Sequence, residues 1–600
     1  MLNIPLDNEQ YTAVKSHKGY YLCLAGAGSG KTRVLAARCV DLINSNIKEE
    51  SILCITYTKK AKEEMENRIA AFLGRKSRVA VTTFHSLCYQ YISSFRNNTK
   101  KIIIMDEDDR KSIIKNEIKK QGFKNIEAKS TSSFIGCVKN KMEYSEYGET
   151  LNQRFKKIKL YFDYQDICID SNRLDFDQMA YEFLEFLKAN KEVASSISEE
   201  YQYIMVDESQ DMNRVQFEIL EIISSTHNNL FLVGDQDQTI YEWRGSDTRL
   251  LYEFEENYQP TILPLVNNYR CDGYIINISN NLISKNAKRY PKILKATKES
   301  INKPIFKSFN TPYDEAIFVT NKIKEALENG VKPNEIKVLY REKKQALFLE
   351  GGLRNKGIKY EISSTSLISY KCIKTLINYI RFIILNDDES FLEIINNPTR
   401  GIGDKRINQI IVTASNNKIS RFEACKLIND ERLNNFVELI EGLRELIKVL
   451  PPQEFIKHLI NKINYDKELE KDSNPKNAKL KVEAFIETIA NYRLNSNNYE
   501  QEYLNLLEDL FLENRITDTN ECVSLMTIHQ AKGLEGKIVF LIGFRQKTTP
   551  GKAIKINDIE AERRIAFVAI TRAKEQLYIT YPNFYQESYS AGSQFIKEMK

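Results

Sequence analysis

The sequence is poor in the residues that build metal sites and redox centres. It has five histidines, one tryptophan and ten cysteines among 600 residues. The cysteines are scattered from Cys23 to Cys522, and none forms a CxxC pair or a Cys/His set with zinc spacing. This pattern argues against a zinc or iron–sulfur site and indicates reduced thiols, as in a cytoplasmic protein.

Long hydrophobic runs are also missing. No stretch reaches the roughly 18 consecutive apolar residues of a membrane-spanning helix. The first residues, MLNIPLDNEQ, contain no basic segment followed by an apolar stretch, so a secretory signal is not indicated. We therefore expect a cytoplasmic protein that does not bind a membrane.

A strong charge of either sign is absent too. Lys and Arg number 87 against 81 Asp and Glu, which gives a formal net charge of +6. Such a mild excess permits nucleic-acid binding without indicating it. The sequence does have 42% hydrophobic and 28% charged residues, which is typical of a globular protein. A length of 600 residues exceeds the roughly 250–300 residues of a single hydrophobic core and predicts several domains.

Short apolar runs recur along the chain, and each precedes a turn and a longer helical pattern. They include YYLCLA (20–25), SILCITY (51–57), YIMVDE (203–208), LFLVGD (230–235), IKVLY (336–340), VSLMTI (523–528) and KIVFLIGF (537–544). Such runs predict strands buried on both faces of parallel α/β sheets. Two stretches with helical spacing interrupt them, so we expect two α/β domains with a mainly helical insertion in each. The predicted boundaries are 1–88 with 200–275 for the first domain, 89–199 for its insertion, 276–375 with 516–600 for the second domain, and 376–515 for its insertion.

The strongest local pattern is AGAGSGKT, which follows a predicted strand and opens a predicted helix. This is the setting of a phosphate-binding loop, whose glycines let backbone N–H groups turn toward phosphate oxygens. We expect Lys31 to reach the β- and γ-phosphates of ATP and Thr32 to hold Mg²⁺. The usual pattern begins with glycine, whereas this loop begins with alanine. The residues assigned to the phosphate site are Ala25, Gly26, Ala27, Gly28, Ser29, Gly30, Lys31 and Thr32.

An acidic pair ends another predicted strand, in YIMVDESQD. Asp207 is placed to bind Mg²⁺, directly or through water, and Glu208 to take a proton from the attacking water. Alone, two adjacent carboxylates after an apolar strand would also fit an ordinary solvent-facing loop. Together with the phosphate-binding loop they predict nucleotide hydrolysis.

A series of further motifs spans nearly the whole chain. In order, the series reads LDNEQYTAV, AGAGSGKTR, ITYTKKAKEEM, TTFHSL, LDFDQM, DESQD, VGDQDQTIYEWRG, NNYR, VLYR, PTRGIG, LMTIHQAKGLEG and ERRIAFVAITRAKEQLY. This ordered set resembles the superfamily 1 DNA helicases of the UvrD, Rep and PcrA kind. The resemblance implies two RecA-like motor domains that use ATP and Mg²⁺ to move 3′→5′ along single-stranded DNA and to unwind duplex DNA.

The resemblance also assigns nucleotide contacts outside the phosphate loop. Gln10 matches the residue whose amide pairs with adenine, and Arg33 and Tyr269 match the flat groups that sandwich the base. Glu535 matches the ribose contact. These residues would therefore select and hold ATP.

Three further matches concern hydrolysis itself. Gln238 resembles the residue that senses the γ-phosphate and orients water. Arg270 and Arg572 match two arginines that reach the γ-phosphate, one from each motor domain. Charge builds on the phosphoryl oxygens in the transition state, so fixed guanidinium groups lower the barrier.

A track for single-stranded DNA needs aromatic faces for the bases and donors for the phosphates. Trp243 matches the base-stacking residue of the family, although a lone tryptophan is more often a core residue. The residues that the resemblance assigns to the DNA track are Tyr57, Thr58, Thr83, Phe84, His85, Tyr241, Trp243, Arg244 and His529.

Two further segments are candidates for duplex contacts. PTRGIGDKR (398–406) resembles a Gly-Ile-Gly turn that can hold a duplex phosphate through backbone N–H groups. A strand-separating wedge is expected after the last motif, where ITYPNFYQESYS offers Phe584, Tyr585 and Tyr589. These aromatics would equally fit a hydrophobic core, and the sequence does not choose among them.

Three segments depart from the family. SSTSLISYKCIK replaces a Gly-rich, aromatic and arginine-containing segment before the second insertion, and the basic RQKTTPGKAIK replaces an acidic stretch. The sequence ends at GSQFIKEMK without the flexible tail of many relatives, so docking through such a tail is not expected. The partners that we expect are single-stranded and duplex DNA, bound by a monomer that can self-associate on DNA, with protein partners unassigned.

Alternative functions share the same motifs. The chain would also suit a translocase that strips proteins from DNA with little unwinding of its own, or the motor subunit of a nuclease complex, although no nuclease segment is evident. A non-catalytic, ATP-gated DNA-binding module is disfavoured, because the residues needed for hydrolysis are all present. The biological pathway is left open.

Overall fold

The computed structural model describes residues 4–96, 102–142, 149–242, 245–362, 367–472, 474–490, 499, 501–503, 506, 521–551, 556–585 and 588–600. The chain divides into two compact units. The first contains Met1–Ile276 and Asn286–Glu299, and the second contains Asn277–Lys285 and Ser300–Lys600. The chain therefore contributes Asn277–Lys285 to the second unit, returns to the first unit for the fourteen residues Asn286–Glu299, and then continues in the second unit.

The first unit is built on a six-stranded sheet in which every neighbouring pair is parallel. The strands of this unit are β1 Tyr20–Ala25, β2 Ile52–Thr56, β3 Ala80–Thr83, β4 Ile103–Met105, β5 Arg173–Asp175, β6 Tyr203–Val206, β7 Leu230–Gly234, β8 Thr261–Leu265, β9 Asn267–Asn268 and β10 Lys295–Ala296. The sheet order is β3-β2-β6-β7-β1-β8. Because β7 lies between β1 and β6, the loops that follow these three strands meet at one edge of the sheet.

Helices cover this sheet and form the segment between β3 and β6. The central strands β2, β6 and β7 are buried along their whole length, as their continuous apolar sequences predict. The inserted helices pack around their own small core, which includes Phe134, Ile135 and Tyr164. The helices that begin in this unit are Asn8–Lys15, Lys31–Asn44, Lys59–Leu73, Phe84–Phe95, Glu107–Lys120, Ala128–Lys139, Leu151–Asp170, Phe176–Ala189, Lys191–Glu200, Arg214–Ser224, Arg249–Tyr258 and Gly273–Ile283.

The second unit repeats the same architecture. Its strands are β11 Ile305–Phe309, β12 Ile336–Tyr340, β13 Tyr360–Ile362, β14 Val523–Thr527, β15 Gly536–Leu541, β16 Ala573–Pro582, β17 Phe584–Tyr585 and β18 Ser588–Tyr589. Six of them form a parallel sheet in the order β11-β16-β15-β12-β14-β13, and β17 and β18 form an antiparallel hairpin. The two parallel sheets confirm the predicted α/β class.

The segment between β13 and β14 is helical where the structure describes it. Its helices share one large apolar core, which includes Phe382, Phe391 and Phe436. The helices whose bounds the structure describes in the second unit include Pro312–Glu328, Leu347–Asn355, Lys371–Leu385, Asp388–Ile394, Asp404–Asn417, Arg421–Leu427, Glu431–Val449, Pro452–Lys462, Tyr465–Leu469, Pro475–Ala490, Ile556–Ile570 and Phe595–Met599. Within the described ranges, no helix is both long and apolar enough to cross a bilayer.

Candidate active site

The phosphate-binding loop joins β1 to the helix that begins at Lys31. Gly28 has φ +67° and Gly30 has φ +84°, a left-handed backbone that favours glycine. A Cβ atom on Gly28 would also lie 2.6 Å from Nδ2 of Asn268, so this position needs glycine for space as well. The glycines of the motif thus produce a tight turn at a helix N-terminus, which is a favourable place for an anion.

Two hydrogen bonds hold the loop against the chain that follows β8. The side-chain amide of Asn268 donates to the carbonyl oxygen of Ala27 at 2.6 Å. The backbone N–H of Tyr269 donates to the carbonyl oxygen of Gly28 at 3.0 Å. These bonds use two carbonyl oxygens of the loop and fix its shape.

Lys31 brings a positive charge to the loop. Its Nζ lies 3.1 Å from Oε1 of Glu208. Burial would lower the pKa of Lys31, but the carboxylates of Glu208 and Asp235 outweigh burial and raise it. The Ser29 hydroxyl is buried and has no hydrogen-bond partner in the described part of the chain. A charged ammonium and an unsatisfied hydroxyl at a helix N-terminus fit the phosphate chain of a nucleotide.

The acidic pair follows β6. The N–H of Asp207 donates to the carbonyl oxygen of Ile55 at 2.9 Å, which ties the end of β6 to β2. Glu208 has φ +52°, an uncommon conformation for a residue other than glycine. Burial, reinforced by the charge of Glu208, raises the pKa of Asp207 to about 7. A buried, crowded carboxylate of this kind is a candidate ligand for Mg²⁺.

In the loop after β7, the Asp235 carboxylate holds the side chain of Gln238 by a hydrogen bond. The side-chain amide of Gln238 donates to Oδ2 of Asp235 at 2.7 Å, and both residues are buried. The N–H of Asp235 donates to Oε1 of Gln210 at 2.9 Å, and the amide nitrogen of Gln210 donates to Glu208. Gln210 therefore links the loop after β7 with the acidic residue after β6.

The residues expected at adenine lie together in the first unit. The Gln10 amide nitrogen donates to the carbonyl oxygen of Ser29 at 2.9 Å, and its oxygen accepts from the N–H of Asp7 at 3.3 Å. The Tyr269 hydroxyl donates to Asp7. Burial and Asp7 raise the pKa of Tyr269 to about 12, whereas the nearby Arg33 lowers it. The structure thus brings Gln10, Arg33 and Tyr269 to one side of the phosphate-binding loop.

The two arginines expected at the γ-phosphate belong to different units. Arg270 lies beside the phosphate-binding loop in the first unit. Arg572, in the second unit, is 2% exposed, and its Nε donates to the carbonyl oxygen of Val568 at 3.0 Å. Glu535 is in the second unit as well, where it pairs with Lys574 at 2.6 Å. The predicted roles of Arg572 and Glu535 stay predictions.

Two tyrosines of the expected DNA track stack on each other. The rings of Tyr57 and Tyr241 are nearly parallel, with an angle of 13° and centroids 5.9 Å apart. Tyr57 is 42% exposed. Thr58 and Thr83 are N-caps, since their hydroxyls accept from the N–H groups of residues 61 and 86. Both threonines therefore begin helices at the carboxyl end of the sheet.

Phe84 and His85, two further residues of the expected DNA track, are packed against other side chains of the first unit. Phe84 is 6% exposed and packs in the core of the first unit, so its ring offers little surface to a base. His85 packs edge-on against Phe176 with ring centroids 5.1 Å apart, and burial lowers its pKa. Trp243 and Arg244 lie outside the described residues. His529 lies in the second unit, in the turn after β14.

The candidate wedge is a hairpin with exposed aromatics. Phe584 is 51% exposed and Tyr589 is 68% exposed, and their rings make an edge contact with centroids 5.6 Å apart. These two side chains are not core residues of the second unit. Tyr585 occupies the same hairpin.

The Gly-Ile-Gly segment forms a turn before the helix Asp404–Asn417. Gly401 has φ +73°, and Gly403 is the N-cap of that helix. The Arg432 guanidinium donates to the carbonyl oxygen of Gly401 at 2.7 Å, which anchors the turn. The turn that the sequence predicts is therefore present.

Several residues that support the site have no counterpart in the sequence predictions. Asn268 supports the phosphate-binding loop, and Gln210 and Asp235 connect the acidic pair with Gln238. Lys292 pairs with Asp235. Asn268 and Gln210 stand inside the recognised motifs NNYR and DESQD, but Lys292 stands in a segment with no motif.

Comparison with known families decides where this chain belongs. The model of the UvrD/REP helicase N-terminal domain matches residues 6–259, and the model of the UvrD-like helicase C-terminal domain matches residues 263–583. The chain belongs to the UvrD/REP helicase family. Both halves of the family's motor are therefore present in one chain, as the ordered motifs predict.

Individual relatives of the UvrD/REP family agree with this assignment. The ATP-dependent DNA helicase PcrA of Staphylococcus aureus is 34% identical over 631 residues, covering 99% of this chain and 86% of that protein. The ATP-dependent DNA helicase PcrA of Staphylococcus epidermidis is 33% identical over the same length, with the same coverage. The likeness thus extends over nearly the whole chain.

Proposed function

We propose that this UvrD/REP family member is an ATP-driven motor that moves 3′→5′ along single-stranded DNA and unwinds duplex DNA. The observation that carries the proposal is the arrangement after β1, β6 and β7. There the phosphate-binding loop, the acidic pair and Gln238 are joined by an ion pair from Lys31 to Glu208 and by hydrogen bonds through Gln210 and Asp235. Relatives that match 99% of this chain are ATP-dependent DNA helicases by name.

The same arrangement supports an exchange of partners when ATP binds. Lys31 pairs with Glu208 in the structure, and a phosphate chain would compete for the same ammonium. Once Lys31 turns to phosphate, the Oε1 atom of Glu208 that paired with it can accept a proton from water. Thr32 and Asp207 are the residues that would hold Mg²⁺, which supplies charge stabilisation at the phosphoryl oxygens when it is bound.

The remaining roles follow the family resemblance. Gln10, Arg33 and Tyr269 would hold adenine, and Glu535 the ribose. Arg270 and Arg572 would act on the γ-phosphate, where an arginine of this kind is worth roughly 10³–10⁵ in rate. We propose a cytoplasmic location as well, because all ten cysteines are free thiols.

The partly exposed Tyr57, stacked on Tyr241, supports single-strand binding. Stacking of a base on an aromatic ring is worth roughly 1–3 kcal/mol, which holds a strand and still allows release at each step. The exposed rings of Phe584 and Tyr589 support strand separation, since they project from a hairpin.

The decisive experiment measures ATP hydrolysis with and without single-stranded DNA, followed by strand displacement on duplexes with a 3′ or a 5′ tail. We expect DNA-stimulated hydrolysis and displacement of the 3′-tailed duplex. DNA-stimulated hydrolysis without displacement would indicate the protein-stripping translocase instead, and no hydrolysis at all would refute the proposal.

The proton acceptor can be tested by one substitution. Glu208→Gln should lower kcat by roughly 10²–10⁴-fold, the usual contribution of a general base, while ATP still binds. Binding should be measured with a fluorescent nucleotide in parallel. A Glu208→Gln variant with the kcat of the wild type would refute the assignment.

A further inference from the structure

The short return of the chain into the first unit brings two cations to the site. Asn286–Glu299 belongs to the first unit, although residues on both sides of it belong to the second. This return segment carries Arg289 and Lys292, whose side chains are 12% and 5% exposed. None of the motifs in the ordered series covers the segment.

Both cations bind carboxylates of the loop that carries Gln238. Lys292 Nζ lies 2.5 Å from Oδ1 of Asp235 and 2.9 Å from Oδ2 of Asp237. The Arg289 guanidinium donates to both oxygens of Asp237, at 3.0 and 2.7 Å. The carboxylates are 0% and 2% exposed, so water does not compensate their charge. The two cations therefore pair with buried carboxylates that water does not reach.

The pKa shifts of Asp237 and Lys292 agree with a mutual stabilisation of their charges. Burial would raise the pKa of Asp237, but Lys292 and Arg289 outweigh burial and lower it. Burial would lower the pKa of Lys292, but Asp235 and Asp237 raise it. Asp237 and the two cations, Lys292 and Arg289, are thus charged at neutral pH.

The return segment also supports the phosphate-binding loop. A Cβ atom on Gly26 would lie 2.3 Å from Cδ2 of Leu294, so the segment packs directly on the loop. The N–H of Thr297 donates to the carbonyl oxygen of Asn268 at 3.0 Å. Lys298 Nζ donates to the carbonyl oxygen of Arg270 at 2.8 Å. One segment therefore contacts the surroundings of the phosphate loop, of Gln238 and of Arg270.

We propose that Lys292 is a positioning residue for ATP hydrolysis, which fixes the Asp235 carboxylate and through it the side-chain amide of Gln238. One oxygen of Asp235 binds Lys292 and the other accepts from Gln238 at 2.7 Å. Rotation of the carboxylate would therefore move the amide. The inference rests on the proposed function, because it concerns the step that Gln238 serves.

Loss of the ammonium should have a second effect. The charge of Asp235 already acts on Lys31. Without Lys292, an uncompensated Asp235 would pull Lys31 away from the phosphates. Misplacement of catalytic groups by about 1 Å can lower a rate by about 10²-fold.

The test compares Lys292→Met, Lys292→Arg and the control Lys288→Met, which changes an exposed lysine of the same segment. We expect Lys292→Met to lower DNA-stimulated kcat by about 10²-fold. Nucleotide affinity should change much less, and Lys292→Arg should restore most of the activity. The control should keep the kcat of the wild type. A Lys292→Met variant with wild-type kcat would overturn the inference.

A double-mutant comparison separates positioning from a merely structural role. Gln238→Ala should lower kcat strongly in the wild-type background and much less in Lys292→Met, because the amide is already misplaced there. An equal fold-change in kcat from Gln238→Ala in both backgrounds would overturn the inference. This outcome counts even if the Lys292→Met variant is less stable than the wild type. A wild-type chain without ATP hydrolysis would instead refute the proposed function.

Discussion

Two glycines with the same backbone conformation allow the shape of the phosphate-binding loop to be tested. Gly28 has φ +67° and Gly74 has φ +71°, so alanine at either position meets the left-handed penalty of about 1–2 kcal/mol. A Cβ atom on Gly74 has no atom within 4 Å, whereas one on Gly28 lies 2.6 Å from Nδ2 of Asn268 and 2.8 Å from Cβ of Arg270. Only Gly28→Ala therefore disturbs the neighbours of the loop.

The clash has a defined consequence. Asn268 must move, and its hydrogen bond to the carbonyl oxygen of Ala27 is then lost, at a cost of about 0.5–1.5 kcal/mol. We expect Gly28→Ala to weaken ATP binding by up to about tenfold, since about 1.4 kcal/mol corresponds to tenfold, and Gly74→Ala to leave ATP binding within about twofold.

The assay is a titration with a fluorescent ATP analogue, accompanied by thermal unfolding of each variant. Both variants should lower the unfolding temperature by the shared backbone penalty, and Gly28→Ala should lower it further. Equal ATP affinities for the two variants would show that the space beside Asn268 does not shape the loop, and the reasoning would fail.

Two further predictions concern the second unit. Burial raises the pKa of Glu315 to about 7, so the folded protein holds this proton more tightly than the unfolded chain, and stability is lost as pH rises from about 4.5 to 7. Glu315→Gln should therefore raise the free energy of unfolding by up to about 3 kcal/mol at pH 8 and leave it unchanged at pH 4. The exposed control Glu328→Gln should leave the free energy of unfolding unchanged at both pH values. Urea unfolding at pH 4 and pH 8 measures these changes. Alanine at Phe584 and Tyr589 together should slow strand displacement by about tenfold and leave DNA-stimulated hydrolysis unchanged; unaltered displacement would exclude the hairpin as the wedge.

The parts of the site that could be predicted from sequence are those whose backbone conformation is specified by residues adjacent in the chain. AGAGSGKT contains the glycines that its turn requires, and DESQD follows a strand whose apolar run is unmistakable. Each motif therefore specifies its own backbone. The family series then placed Gln10, Arg33 and Tyr269 around one loop, and the structure brings these residues together.

The parts that could not be predicted depend on partners distant in sequence. Lys292 meets Asp235 across 57 positions, and Asn268 meets Ala27 across 241. Lys292 carries no local pattern that distinguishes it from an ordinary lysine, and the NNYR motif that contains Asn268 does not reveal its contact with Ala27. The environment of Phe84 is a similar case, because its burial depends on helices of the inserted segment. Sequence patterns of this kind report residue type and leave the packing undetermined.

The contacts of the predicted ATP-site residues support the proposal that ATP binding is an exchange of partners. Gln10 already donates to Ser29, and Lys31 pairs with Glu208. Because a buried polar group without a partner is costly, these internal contacts keep the protein stable, and a ligand must replace each of them with an equivalent one. Lys31 is expected to reach both the β- and γ-phosphates, so ATP competes with Glu208 more strongly than ADP does. The proton acceptor would thus be released mainly when the bond to be cleaved is present.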